Sequence, residues 1–102
     1  MSVAHYSYDI TMKTPLGDRI GQLLLDCENC YCQGMLTLLG TKTGIQGTLD
    51  ETGHCELQGE LHTLLRSLPY AASGTLLPDR LSLTLVAGGH GYAIHGQRRE
   101  LG

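Results

Sequence analysis

The sequence predicts a single all-β domain: an antiparallel meander of about eight strands closed into a small up-and-down barrel. Three observations predict it. Apolar and polar residues alternate with period two along most of the chain, a unit of the form apolar-x-Gly-x-Leu recurs, and turn-forming residues fall one strand apart. With 102 residues the chain holds one domain, 1–102, and not two.

The elements follow in order. Tyr6, Tyr8, Ile10 and Met12 alternate with Ser7, Asp9, Thr11 and Lys13, which predicts a strand over 5–13. Thr14-Pro15-Leu16-Gly17-Asp18 then supplies Pro and Gly for a tight turn. Strands over 19–26 and 30–39 are separated by Glu28-Asn29, and Asp50-Glu51-Thr52-Gly53 separates strands over 43–49 and 54–62. In the latter, Cys55, Leu57, Gly59 and Leu61 share one face while His54, Glu56, Gln58, Glu60 and His62 share the other, the pattern of a half-buried strand. Strands over 68–76, 80–87 and 91–98 complete the meander, with Pro78-Asp79 and Gly88-Gly89 as turns. Between Leu61 and Pro69 the leucines have helical spacing, so a short helical turn and a long loop are equal alternatives there.

The repeat appears as Cys32-Gln33-Gly34-Met35-Leu36, Ile45-Gln46-Gly47-Thr48-Leu49, Leu57-Gln58-Gly59-Glu60-Leu61 and Ala72-Ser73-Gly74-Thr75-Leu76. Gly21-Gln22-Leu23 and Ile94-His95-Gly96 preserve half of it. These glycines share the phase of the inward leucines. Glycine inside a strand packs nothing and adds chain entropy, so several in register need a reason. Glycine kinks let a sheet coil enough to close. Around a barrel they predict a ring without side chains, which either relieves crowding among leucines or encloses space for a small ligand.

Composition excludes some roles. The net charge of −3 leaves no basic footprint for nucleic acid. The N-terminus lacks the charged and apolar regions of an export signal, and no apolar run reaches the ~20 residues of a membrane span. Both point to a cytoplasmic protein. There is no Trp or Phe, so leucine carries most of the burial.

Cys27-Glu28-Asn29-Cys30-Tyr31-Cys32 concentrates three of the four cysteines. Reduced thiols acting as small hydrophobes are the first reading; a Cys27–Cys30 disulfide across the turn, or a zinc site completed by Cys55 or a histidine, are the alternatives. His5, His54, His62, His90 and His95 are scattered, mostly on outward phases, with no H-E-x-x-H pairing. No Gly-x-Ser-x-Gly elbow occurs, and Gly88-Gly89-His90-Gly91 lies between strands rather than before a helix. No catalytic constellation, metal site or cofactor is expected, and the protein reads as a non-enzyme.

Tyr8, Tyr70 and Tyr92 are on inward phases, where buried phenols need partners. Arg19 shares the inward phase of its strand and is placed at the same rim. Tyr8, Arg19, Tyr70 and Tyr92 are therefore the candidate ligand-binding residues. On the outer face Ile20 and Leu24 lie near Met35 and Leu39, an apolar patch that predicts a homodimer.

The repeated Gly-x-Leu units in a short meander resemble the calycin-like group of small barrels, which includes lipocalins, fatty-acid-binding proteins and avidins. With Thr14-Pro15-Leu16-Gly17 they are also similar to short uncharacterised bacterial β-proteins. The resemblance is one of architecture and covers nearly the whole chain. It implies a compact apolar or amphipathic small molecule in the barrel interior. The rival expectation is a structural or interaction protein whose barrel is filled and which acts through its outer face or as a homodimer. Neither nucleic acid nor a membrane is expected as a partner.

Overall fold

The computed structural model describes residues 3–38, 40–62 and 67–99. The strands are β1 (Ala4–Thr14), β2 (Gly17–Glu28), β3 (Tyr31–Leu38), β4 (Thr41–Leu49), β5 (His54–His62), β6 (Ser67–Leu76), β7 (Arg80–Ala87) and β8 (His90–Arg98). They follow one another in chain order around a closed barrel, each antiparallel to the next, and β8 returns to β1. The predicted class and strand order are those observed, and the strand ends fall within two residues of those expected. In the ambiguous stretch, β5 runs to His62 and β6 starts at Ser67; residues 63–66 lie outside the described residues.

Short connections impose the meander. At β2–β3 the two turn residues are Asn29 (φ 51°) and Cys30 (φ 69°), and at β7–β8 they are Gly88 (φ 59°) and Gly89 (φ 80°). Left-handed backbone at both central positions matches the twist of the flanking strands. At β4–β5 the Asp50 carboxylate accepts from Thr52 N (2.8 Å), Thr52 Oγ1 (2.6 Å) and His54 N (3.1 Å). These bonds organise the loop and hold the Asp50 carboxyl below its ordinary range, the Thr52 hydroxyl contributing most.

Inward positions form one apolar cluster in which leucine predominates, with Tyr8, Ile10, Ile45, Ile94 and Cys55 among its members. The repeat glycines do face inward. Each shares a cross-strand row with larger residues: Gly34 lies between Leu25 and Ile45, Gly47 between Cys32 and Leu57, Gly96 between Ile10 and Leu81. At Gly34 an added Cβ would stand 1.8 Å from the Leu24 carbonyl oxygen, so the glycine is what lets these strands coil this tightly.

The β1–β2 pair is longer than its neighbours. Among the described residues β2 meets β3 only from Gln22 onward, and β1 meets β8 only over Tyr8–Met12. Residues 13–20 therefore extend as a two-stranded arm, with Leu16 86% and Ile20 80% exposed. Lys13 Nζ and Asp18 Oδ2 pair across it at 2.9 Å.

Candidate functional site

The four residues singled out as ligand-binding do not converge. Tyr8 is fully buried, and its hydroxyl donates to the Leu77 carbonyl at 2.5 Å, tying β1 to the β6–β7 loop. Its ring lies parallel to that of Tyr6, with centroids 6.3 Å apart. Burial, reinforced by the nearby Tyr6, Cys55 and Asp79, pushes the Tyr8 phenol far above its ordinary range. Tyr70 and Tyr92 belong to the other half of the barrel, near the β7–β8 turn: Tyr70 pairs with Ala87 and Tyr92 with Leu85. Tyr92 is half-buried against the core.

Arg19 does keep the inward phase of β2, opposite Met12, but it is exposed. It sits on the arm, where no β3 neighbour closes the wall beside it, so phase alone does not enclose it.

Tyr70 carries the most unusual environment. It is 4% exposed and Thr43, on β4, is 3% exposed; among the described residues neither Tyr70 Oη nor Thr43 Oγ1 has a hydrogen-bond partner. The two hydroxyls approach each other without meeting in hydrogen-bond geometry. Desolvation pushes the Tyr70 phenol upward, and the Thr43 hydroxyl only partly opposes it. Thr43 was legible in the sequence only through phase, since it precedes Ile45 by two residues and so shares its inward face.

The cysteines resolve differently from every sequence alternative. Cys27 and Cys32 form a disulfide, with Cα atoms 4.1 Å apart, while Cys30 and Cys55 are free. The turn consists of Asn29-Cys30 rather than Glu28-Asn29, so the residue opposite Cys27 is Cys32. Glu28↔Tyr31 closes the turn, and the next pair is of the non-hydrogen-bonded kind, where cross-strand side chains come closest. Cys30 is exposed in the turn, and Cys55 is buried with its thiol pushed up to about 11 by desolvation. Among the described residues no three His, Cys, Asp or Glu side chains gather as metal ligands.

The outer wall carries the remaining features. Leu24 and Met35 are direct cross-strand partners, 45% and 41% exposed, and their row continues to Ser7 on one side and Gly44 on the other without a charge. Leu39, expected in the same patch, lies outside the described residues. A groove of mixed polar and apolar lining, about 740 Å³ in volume, crosses the β1–β8 closure; Asp9, Arg80, His95 and Gln97 line it together with Leu77 and Leu81. Another, of about 520 Å³, crosses β2–β5 and includes Met35, Gln46 and Gln58. His5 Nδ1 meets Asp26 Oδ1 at 2.5 Å, and His54 lies 3.8 Å from Glu56. Searches of family models, curated proteins and solved structures return no match to this chain, so what is established is the architecture: a small antiparallel up-and-down barrel.

Proposed function

We propose that this protein is a non-enzymatic interaction module, a filled barrel that works through its outer wall and pairs with a second copy through β2–β3. The observation that carries this reading is the exposed, uncharged row Ser7–Leu24–Met35–Gly44 on a barrel whose inner positions pack into one apolar cluster. A row of this kind is self-complementary under a two-fold axis, which lays Leu24 of each copy near Met35 of the other. Ile20 on the arm extends the apolar contact beyond the barrel wall. Sedimentation equilibrium tests it: the wild type is expected to be dimeric at ~100 µM and Leu24→Lys monomeric with an unchanged far-UV spectrum. A wild-type monomer at that concentration overturns the proposal.

A second reading is favoured by the Tyr70 and Thr43 hydroxyls. Here the barrel admits a compact amphipathic molecule whose polar group meets those two buried hydroxyls, in keeping with the calycin-like resemblance. Native mass spectrometry of freshly purified protein separates the readings. A co-purifying small molecule that is lost in Tyr70→Phe supports the interior site, and a clean apo mass speaks against it.

A further inference from the structure

The β2–β3 hairpin packs three of the four cysteines into six residues, and their accessibilities differ sharply. Cys27 is 7% exposed and Cys32 is 0% exposed, both on the inner wall, so the disulfide between them is shielded from solutes. Cys30 stands at the tip with its side chain in solvent. Its backbone is anchored, because Leu49 N donates to the Cys30 carbonyl at 2.9 Å. A second observation bears on the same residue. Cys30 has φ 69° at the last position of a two-residue hairpin turn, where glycine is the favoured occupant after Asn. A cysteine there adopts a left-handed backbone that non-glycine side chains disfavour.

We propose that the β2–β3 turn is a thiol–disulfide exchange site, in which Cys30 is the port through which a thiol of the glutathione class reduces the shielded Cys27–Cys32 bond, and the corresponding disulfide re-forms it. This goes beyond the interaction reading and does not depend on it.

The steps balance. The Cys30 thiolate, three residues along the same hairpin, attacks Cys27 Sγ; the Cys27–Cys30 bond forms as Cys27–Cys32 breaks, and Cys32 Sγ takes up a proton. A glutathione thiolate then attacks the accessible Cys30 Sγ, forming a mixed disulfide on Cys30 and releasing the Cys27 thiol. A second glutathione attacks the glutathione sulfur of that mixed disulfide, leaves as glutathione disulfide, and returns Cys30 as a thiol. Two electrons pass from two glutathione molecules to the protein disulfide, and the reverse sequence re-forms it. Cys55 stays outside this route because it is buried and its thiol resists ionisation.

The reduction test starts from folded wild type, Cys30→Ser and Cys55→Ser, each carrying the Cys27–Cys32 bond. Reduced glutathione is added, aliquots are acid-quenched, and the thiol count is followed by alkylation and mass spectrometry. Cys30→Ser is expected to lose the Cys27–Cys32 bond on the order of tenfold more slowly than the wild type, and Cys55→Ser at the wild-type rate. In parallel, Cys27→Ser treated with oxidised glutathione is expected to carry one stable glutathionyl group, on Cys30. Equal rates for wild type and Cys30→Ser overturn the proposal, as does a first adduct on Cys32 in Cys27→Ser.

Discussion

Tyr70 lies directly across the β5–β6 ladder from Gly59, and its ring covers the glycine: a Cβ at position 59 would stand 2.6 Å from Tyr70 Oη and 2.6 Å from the Gly44 carbonyl oxygen. The glycine makes room for the ring, and the ring covers the backbone that the glycine leaves bare. Alanine in place of glycine ordinarily steadies a strand. Here the contact reverses the sign. Gly59→Ala is expected to cost roughly 1–3 kcal/mol, as overpacking does, read as a lower urea midpoint. Tyr70→Phe removes an unpartnered buried hydroxyl and keeps the ring, so it is expected to be neutral or to gain up to about 2 kcal/mol.

The buried weak acids make the barrel alkali-sensitive. Cys55 is raised from 9.0 to about 11, and Tyr8 and Tyr70 both lie above their ordinary 10.0. The folded state therefore holds protons that the unfolded chain releases, and stability is fully present below the unfolded values and falls as pH rises through them. Urea midpoints are expected to be level up to about pH 9 and to fall above it. Cys55→Ala removes the earliest part of that fall. A wild-type curve still level at pH 11 would contradict the folded-state values.

Asp50 gives the opposite dependence. Its carboxyl is held below the ordinary 3.8 by the Thr52 hydroxyl, with the Thr52 and His54 amides adding to the effect. The stabilisation is thus present above the unfolded value and lost as pH falls through the folded one. Asp50→Asn keeps the loop's length and removes the titration. Its midpoint is expected to lie below that of the wild type at pH 6 and to converge with it at pH 2.

The Cys27–Cys32 bond closes a short loop, with a sequence separation of 5. Chain-entropy reasoning assigns such a closure about 2 kcal/mol. Cys27→Ala/Cys32→Ala is expected to lower stability by that order and to retain the far-UV spectrum of the wild type, because the β2–β3 ladder extends from Glu28↔Tyr31 to Gln22↔Thr37 without needing the bond. Loss of the β-sheet spectrum in the double variant would show that the hairpin depends on it.

How much was legible divides along one physical line. Strand existence, order and phase were readable because they are local: period-two alternation puts Leu81, Leu83 and Leu85 on one face whatever lies beside them, and tight turns force neighbours to pair. The glycine phase was readable for the same reason. Which residue stands across from which is a property of two strands together. A turn displaced by one residue, from Glu28-Asn29 to Asn29-Cys30, moved the partner of Cys27 from Cys30 to Cys32. Arg19 shows the same limit, since its exposure depends on where β3 ends and not on its own strand.

The sequence by itself determined an eight-stranded meander with a leucine-lined inner face and glycines among the leucines, because side-chain alternation and turn chemistry act over a few residues. Tertiary structure alone decided that those glycines lie between large neighbours, that Thr43 meets Tyr70 out of hydrogen-bond geometry, and that Leu24 and Met35 form one uncharged row. Each depends on register and barrel closure, which are set by the summed packing of all eight strands and are written in no single segment.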